Sequence, residues 1–91
     1  MKINSVAEFE QRAKEEVAHY AYNYYDRIDN VSFHIGANEI YCVWICKTLQ
    51  HFKGLFATPL DDGLYFEITY NGDKEEMYFD AYKKIENNVI K

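Results

Sequence analysis

The dipeptide Asn71–Gly72 constrains this chain more than any other local feature. Two such residues between alternating apolar segments form the preferred connection of a type I′ hairpin, where both central positions need positive φ. A two-residue turn also sets the strand register. It predicts the opposed pairs Thr69/Lys74, Ile68/Glu75, Glu67/Glu76, Phe66/Met77, Tyr65/Tyr78 and Leu64/Phe79. Leu64, Phe66, Ile68, Met77 and Phe79 then share the core face. Tyr65, Glu67, Thr69, Lys74, Glu76 and Tyr78 share the other.

The amino-terminal third has a different period. Ser5 and Glu8 form a capping box, with the Ser5 hydroxyl placed to accept the Glu8 backbone N–H. Apolar residues recur at Val6, Phe9, Ala13, Val17, Tyr20, Tyr24 and Ile28, in steps of three or four. That spacing predicts an amphipathic helix over about residues 5–27. Glu8, Gln11, Arg12, Glu15 and Glu16 fall on its polar side. Asp29–Asn30 ends the helix, and Val31–Ile35 is a candidate short strand.

Residues 39–50 carry the strongest strand signal, with Ile40, Tyr41, Val43, Trp44 and Ile45 β-branched or aromatic. Apolar residues on both faces place this strand centrally. A second strand is expected over Phe52–Thr58, ended by Pro59. Asp61–Asp62–Gly63 reads as a three-residue hairpin loop with Gly63 at positive φ. Asp80 is expected to cap a short helix with Ala81, Tyr82, Ile85 and Val89 on its apolar side. The fold class is therefore α+β: an N-terminal amphipathic helix, an antiparallel sheet of three to four strands, and a short C-terminal helix.

Ninety-one residues make one domain, 1–91, of a size whose stability margin is thin. Nine Tyr, six Phe and one Trp supply the bulk that a small core needs. The formal net charge is −5. It divides as −2 over residues 1–30 (four bases, six acids), +1 over 31–59 (two bases, one acid) and −4 over 60–91 (four bases, eight acids). Phosphate neutralisation requires clustered Lys and Arg, so direct DNA binding is not expected. An acidic surface instead suits a partner with a basic one.

Cys42 and Cys46 are the only cysteines. Four residues apart on one strand, they stand ~13 Å from each other. That separation excludes a mutual disulfide and a shared metal ion, and buried apolar roles are expected. Two cysteines without a signal peptide suggest a cytoplasmic protein, and no stretch has the length of a membrane span. His19, His34 and His51 belong to no H-x-x-x-H or H-E-x-x-H arrangement, and no Walker, dinucleotide or G-x-S-x-G motif occurs. No enzyme activity, cofactor or metal is expected.

The candidate site is the polar hairpin face. Glu67 and Glu76 would lie directly opposite, and like charges so placed repel unless a cation joins them. Tyr65 and Tyr78 would flank them, tyrosine being enriched at interfaces. With Asp61 and Asp62 from the preceding loop, these residues form an acidic, aromatic surface for a basic partner. The competing reading is an ordinary solvated face in which Lys74 offsets the repulsion. Tyr41 or Trp44 would add an anchor if its strand faces outward, and Tyr22 and Tyr25, off the helix stripe, would suit a homodimer contact.

The second half carries Val43–Trp44, Lys47–Thr48–Leu49–Gln50, a run from Asp62 to Lys74 containing T-Y-N-G-D-K, and Asp80–Ala81–Tyr82–Lys83–Lys84–Ile85–Glu86–Asn87. Over about residues 40–88 the chain resembles an uncharacterised family of small proteins encoded by phages and prophages of Gram-positive bacteria. That resemblance implies a setting and no catalytic residue. Small acidic phage proteins of this kind are often counter-defence factors. The expected function is therefore stoichiometric inhibition of a bacterial defence protein, of anti-CRISPR type, acting in the host cytoplasm. A CRISPR effector's basic nucleic-acid channel would suit the acidic face. Two alternatives are a nucleotide or small-molecule sponge, with Lys47, Lys53 and Lys74 meeting phosphates, and a dimeric phage regulator.

Overall fold

The structure, a computed structural model, describes residues 2–29, 35–60 and 63–91, and within the long helix the side chains as far as Tyr24. It is an α+β fold. Helix α1 spans Val6–Asp29, and a 3-10 turn at Ala37–Glu39 leads into four strands. These are β1 (Tyr41–Thr48), β2 (His51–Ala57), β3 (Leu64–Asn71) and β4 (Glu76–Lys83). The strands form an antiparallel meander in the order β1-β2-β3-β4, and α1 lies over one face.

The Ser5 cap forms as its sequence requires. The Glu8 N–H donates to Ser5 Oγ at 3.1 Å, and the Phe9 N–H donates to the Ser5 carbonyl at 3.0 Å. From there Phe9, Ala13, Val17 and Ala21 form the buried stripe. Val6 stays exposed, and Ile28 lies beyond the described side chains. The facing sheet positions are Phe52, Phe56, Phe66, Ile68 and Tyr70, all buried. Phe9 stacks on Phe52 with centroids 5.4 Å apart and rings inclined by 15°. Tyr70 is 1% exposed, and its phenolic oxygen accepts the Ile3 N–H at 3.2 Å. That bond satisfies a polar atom inside the core.

The β3–β4 hairpin corrects the expected register. Phe66 lies opposite Ala81, where Met77 was expected, and Ile68 lies opposite Phe79. The pairing is displaced by four residues, an even number, so each side chain still within a strand keeps its predicted face, whereas Lys74, expected opposite Thr69, falls in the loop. Leu64, Phe66, Ile68, Met77 and Phe79 all point toward α1. The connection has four residues, Gly72 to Glu75. Asn71 Oδ1 accepts the N–H groups of Asp73 (3.0 Å) and Lys74 (3.2 Å), and positive φ falls on Glu75 (54°). Gly72 is required for another reason: a Cβ there would overlap the Gln50 carbonyl in the neighbouring turn. That turn, Leu49–Gln50, is the true two-residue connection, joining Thr48 to His51 with Leu49 at φ 57°.

Three further expectations change. The C-terminal helix does not form. Period-two alternation continues past Phe79, so Asp80 and Tyr82 belong to β4, and residues 84–91 carry no regular structure. Among the described residues the apolar strand β1 is an edge strand, pairing with β2 alone. Cys46 is exposed and Cys42 only half-buried. A bulge between Cys42 and Trp44 puts Cys42 on the helix side and Trp44 and Cys46 on the other. Gly63 has the expected positive φ, 74°. Asp61, Asp62 and residues 31–34 lie outside the described residues.

Candidate interaction face

Antiparallel alternation sends every second residue of each strand away from α1. Two rows cross this second face from edge to edge: Trp44, Leu55, Glu67 and Asp80, and Cys46, Lys53, Thr69 and Tyr78. At its ends Tyr41 lies opposite Ala57 and Tyr65 opposite Tyr82, and Thr48 lies opposite His51 and Asn71 opposite Glu76. Among the described residues, no helix or strand covers this surface. Tyr41 is 57% exposed, Tyr82 53%, and Trp44 and Tyr78 each 42%. Large rings left this open are the part of a sheet face that gains most from being covered.

The predicted residues Glu67, Glu76, Tyr65 and Tyr78 do share this face, in a different arrangement. Glu67 lies opposite Asp80, not Glu76. Glu76 lies opposite Asn71 and accepts the Tyr78 hydroxyl proton at 2.7 Å, a bond that raises the Tyr78 pKa. Tyr65 lies opposite Tyr82, and Tyr78 opposite Thr69. Lys53 Nζ reaches Glu67 Oε1 at 3.5 Å. As a surface pair it contributes little to stability, but it offsets part of the Glu67–Asp80 repulsion. Glu67, Glu76 and Asp80 against Lys53 leave the face net acidic.

Sequence reasoning missed Asp80 and Tyr82 and left Trp44 undecided. The signal for the first two was legible: Glu76, Tyr78, Asp80 and Tyr82 alternate with Met77, Phe79 and Ala81. Trp44 was not legible, because the bulge that turns it outward has no mark in the sequence.

The lysines do not converge on one site. Lys53 is on the open face, Lys74 is in the β3–β4 loop, and Lys47 lies on the helix side, donating to the Leu49 carbonyl, with its ammonium 5.6 Å from the Phe52 ring centroid. Among the described residues no three His, Cys, Asp or Glu side chains gather as a metal ion would require, and no helix is long and apolar enough to cross a membrane.

A family model matches residues 10–91, which takes in nearly all of α1 and every strand. The chain belongs to DUF6275, a family of unknown function. Family membership therefore extends over both the helix-packed core and the open face. Comparison with curated proteins and with solved structures found no match.

Proposed function

We propose that this chain is a stoichiometric protein-binding module, without enzymatic activity, whose open sheet face receives a partner carrying basic groups. The observation that carries the reading is the combination on one uncovered face of Tyr41, Trp44, Tyr65, Tyr78 and Tyr82 with Glu67, Glu76 and Asp80. Aromatic side chains supply contact area at low entropic cost, and the carboxylates select the sign of the partner's charge. The same charge disfavours a second copy on this face, since two acidic surfaces would meet.

The resemblance to phage and prophage proteins adds the setting. The partner is a bacterial defence protein with a basic surface, a CRISPR effector's nucleic-acid channel being the chemistry that fits best. The module blocks it by occupancy in the host cytoplasm.

The test is co-purification from a Gram-positive host with tagged wild-type chain, compared with Trp44→Ala/Tyr82→Ala and Glu67→Lys/Asp80→Lys. One host protein held at 1:1, released by both double substitutions and kept by Glu15→Ala/Glu16→Ala on the helix, is the expected result. A partner that survives both double substitutions in folded protein would overturn the reading.

A further inference from the structure

The open face is not uniform. On its β1–β2 half, Trp44, Cys46, Thr48, His51, Lys53 and Thr69 line a depression of about 440 Å³. Alternation puts all six side chains on this face, with Cys46 opposite Lys53, Lys53 opposite Thr69 and Thr48 opposite His51. The indole, the thiol, the two threonine methyls and the lysine stem give it mainly apolar walls. Its polar tips are engaged elsewhere. Lys53 Nζ lies 3.5 Å from Glu67 Oε1, and His51 Nδ1 accepts the Gly72 N–H at 3.1 Å. Cys46 Sγ lies 3.9 Å from Thr48 Oγ1. The depression is therefore formed before anything binds, and its volume falls within the ~300–1,000 Å³ of ligand-sized sites.

The β3–β4 half differs in charge. Glu67 and Asp80 lie directly opposite each other. Lys53 pairs with Glu67, and among the described residues Asp80 has no ion-pair partner. A cation set between the two carboxylates relieves their repulsion. The middle of β1–β2 and the middle of β3–β4 are two strand spacings apart, roughly 10 Å.

We infer that the partner of the open face inserts one large apolar side chain into the Trp44 depression and places an Arg or Lys between Glu67 and Asp80, roughly 10 Å away. This two-point recognition rests on the open-face reading and gives it specificity. Carboxylates alone accept any basic surface. A preformed apolar depression beside them also demands an anchor, and anchors in pockets carry most of an interface's energy. Charge complementarity selects the occupant. Glu67 and Asp80 turn away an acidic segment, and a purely apolar one leaves the two carboxylates facing each other unrelieved. Arg suits the place better than Lys, because the donors of its planar fork can meet both carboxylates.

The test is amide chemical-shift mapping of the full chain with acetyl-Trp-Gly-Ser-Arg-amide, whose two large side chains lie three residues, roughly 10 Å, apart when extended. The same peptide with Ala for Trp, the same with Glu for Arg, and acetyl-tryptophan-amide are the comparisons. The expected result is shifts at Trp44, Cys46, Thr69 and Asp80, with binding weakened about tenfold or more by either peptide change. Cys46→Phe fills the depression from an exposed position and should remove the Trp-dependent shifts while the rest of the spectrum stays in place. Shifts that map elsewhere, no shifts at millimolar peptide, or equally tight binding of acetyl-tryptophan-amide overturn the two-point recognition; the last would make the depression a small-molecule site. Host-protein capture separates the anchor from the face. A partner kept by Cys46→Phe and released by Glu67→Lys/Asp80→Lys overturns the anchor alone, and one kept by both overturns the open-face reading as well.

Discussion

The backbone N–H of Gly72 donates to Nδ1 of His51 over 3.1 Å, tying the β3–β4 loop to the first residue of β2. Gln50 Nε2 donates to Asp73 Oδ1 beside it, and His51 Nε2 lies 3.7 Å from Asp73 Oδ2. Two hairpin turns are thus joined at one end of the sheet. The contact explains a glycine whose φ is not positive: the neighbouring turn occupies the place of its side chain.

Substitution Gly72→Ala is expected to destabilise the fold by roughly 1–3 kcal/mol, because the methyl group meets a backbone carbonyl that cannot rotate away. His51→Ala removes one partly exposed hydrogen bond and should cost about 1 kcal/mol. Urea denaturation of both variants measures the order; a Gly72→Ala protein as stable as wild type would contradict the close approach.

Leu49 is a branched residue in left-handed backbone, 76% exposed. Such a conformation costs a non-glycine residue about 1–2 kcal/mol, and the side chain gains little burial in return. Leu49→Gly should therefore raise stability by about 0.5–1 kcal/mol, after the flexibility of glycine in the unfolded chain is offset. The midpoint of thermal unfolding reads it directly.

Phe9→Ala opens a cavity beneath Phe52 and Phe56 and should cost about 3–5 kcal/mol, enough to unfold much of a small domain at room temperature. Trp44→Ala, although a larger deletion, should shift stability by less than about 1 kcal/mol, because its ring lies on the uncovered face. A comparable loss from both would mean that Trp44 belongs to the core.

The two cysteines should differ in reactivity. Burial pushes the Cys42 thiol above its ordinary pKa of 9.0; Glu10 pushes it further and Lys14 partly restores it. Cys46 is exposed. At pH 8, iodoacetamide should label Cys46 well before Cys42, as peptide mass spectrometry will read. The sign for stability follows: with a raised folded pKa, Cys42 contributes stability below pH 9 and loses it as pH rises through the folded value. Cys42→Ser should flatten that alkaline decline.

Periodicity made much of this fold legible. Helix α1 was readable from the spacing of Phe9, Ala13 and Val17, and its start from Ser5, because capping and amphipathicity depend on neighbours within one turn. The faces of the β3 side chains from Leu64 to Thr69, and of Met77 and Phe79, were readable for a similar reason: alternation has period two, and the four-residue register error left it intact. Glu67 and Tyr78 consequently reached the correct surface with the wrong neighbours.

Tertiary structure decided the rest. Asn71–Gly72 favours a two-residue turn locally, but the adjacent Leu49–Gln50 turn occupies the space beside Gly72, and a longer loop closes the hairpin. Residues 80–83 have a helix-compatible pattern, yet β3 runs as far as Leu64, where it pairs with Lys83, and hydrogen bonding along that strand outweighs a short isolated helix. Which strand is an edge, and whether Trp44 faces the helix or the open side, depend on contacts between segments far apart in sequence. A pattern of single residues carries no record of those contacts.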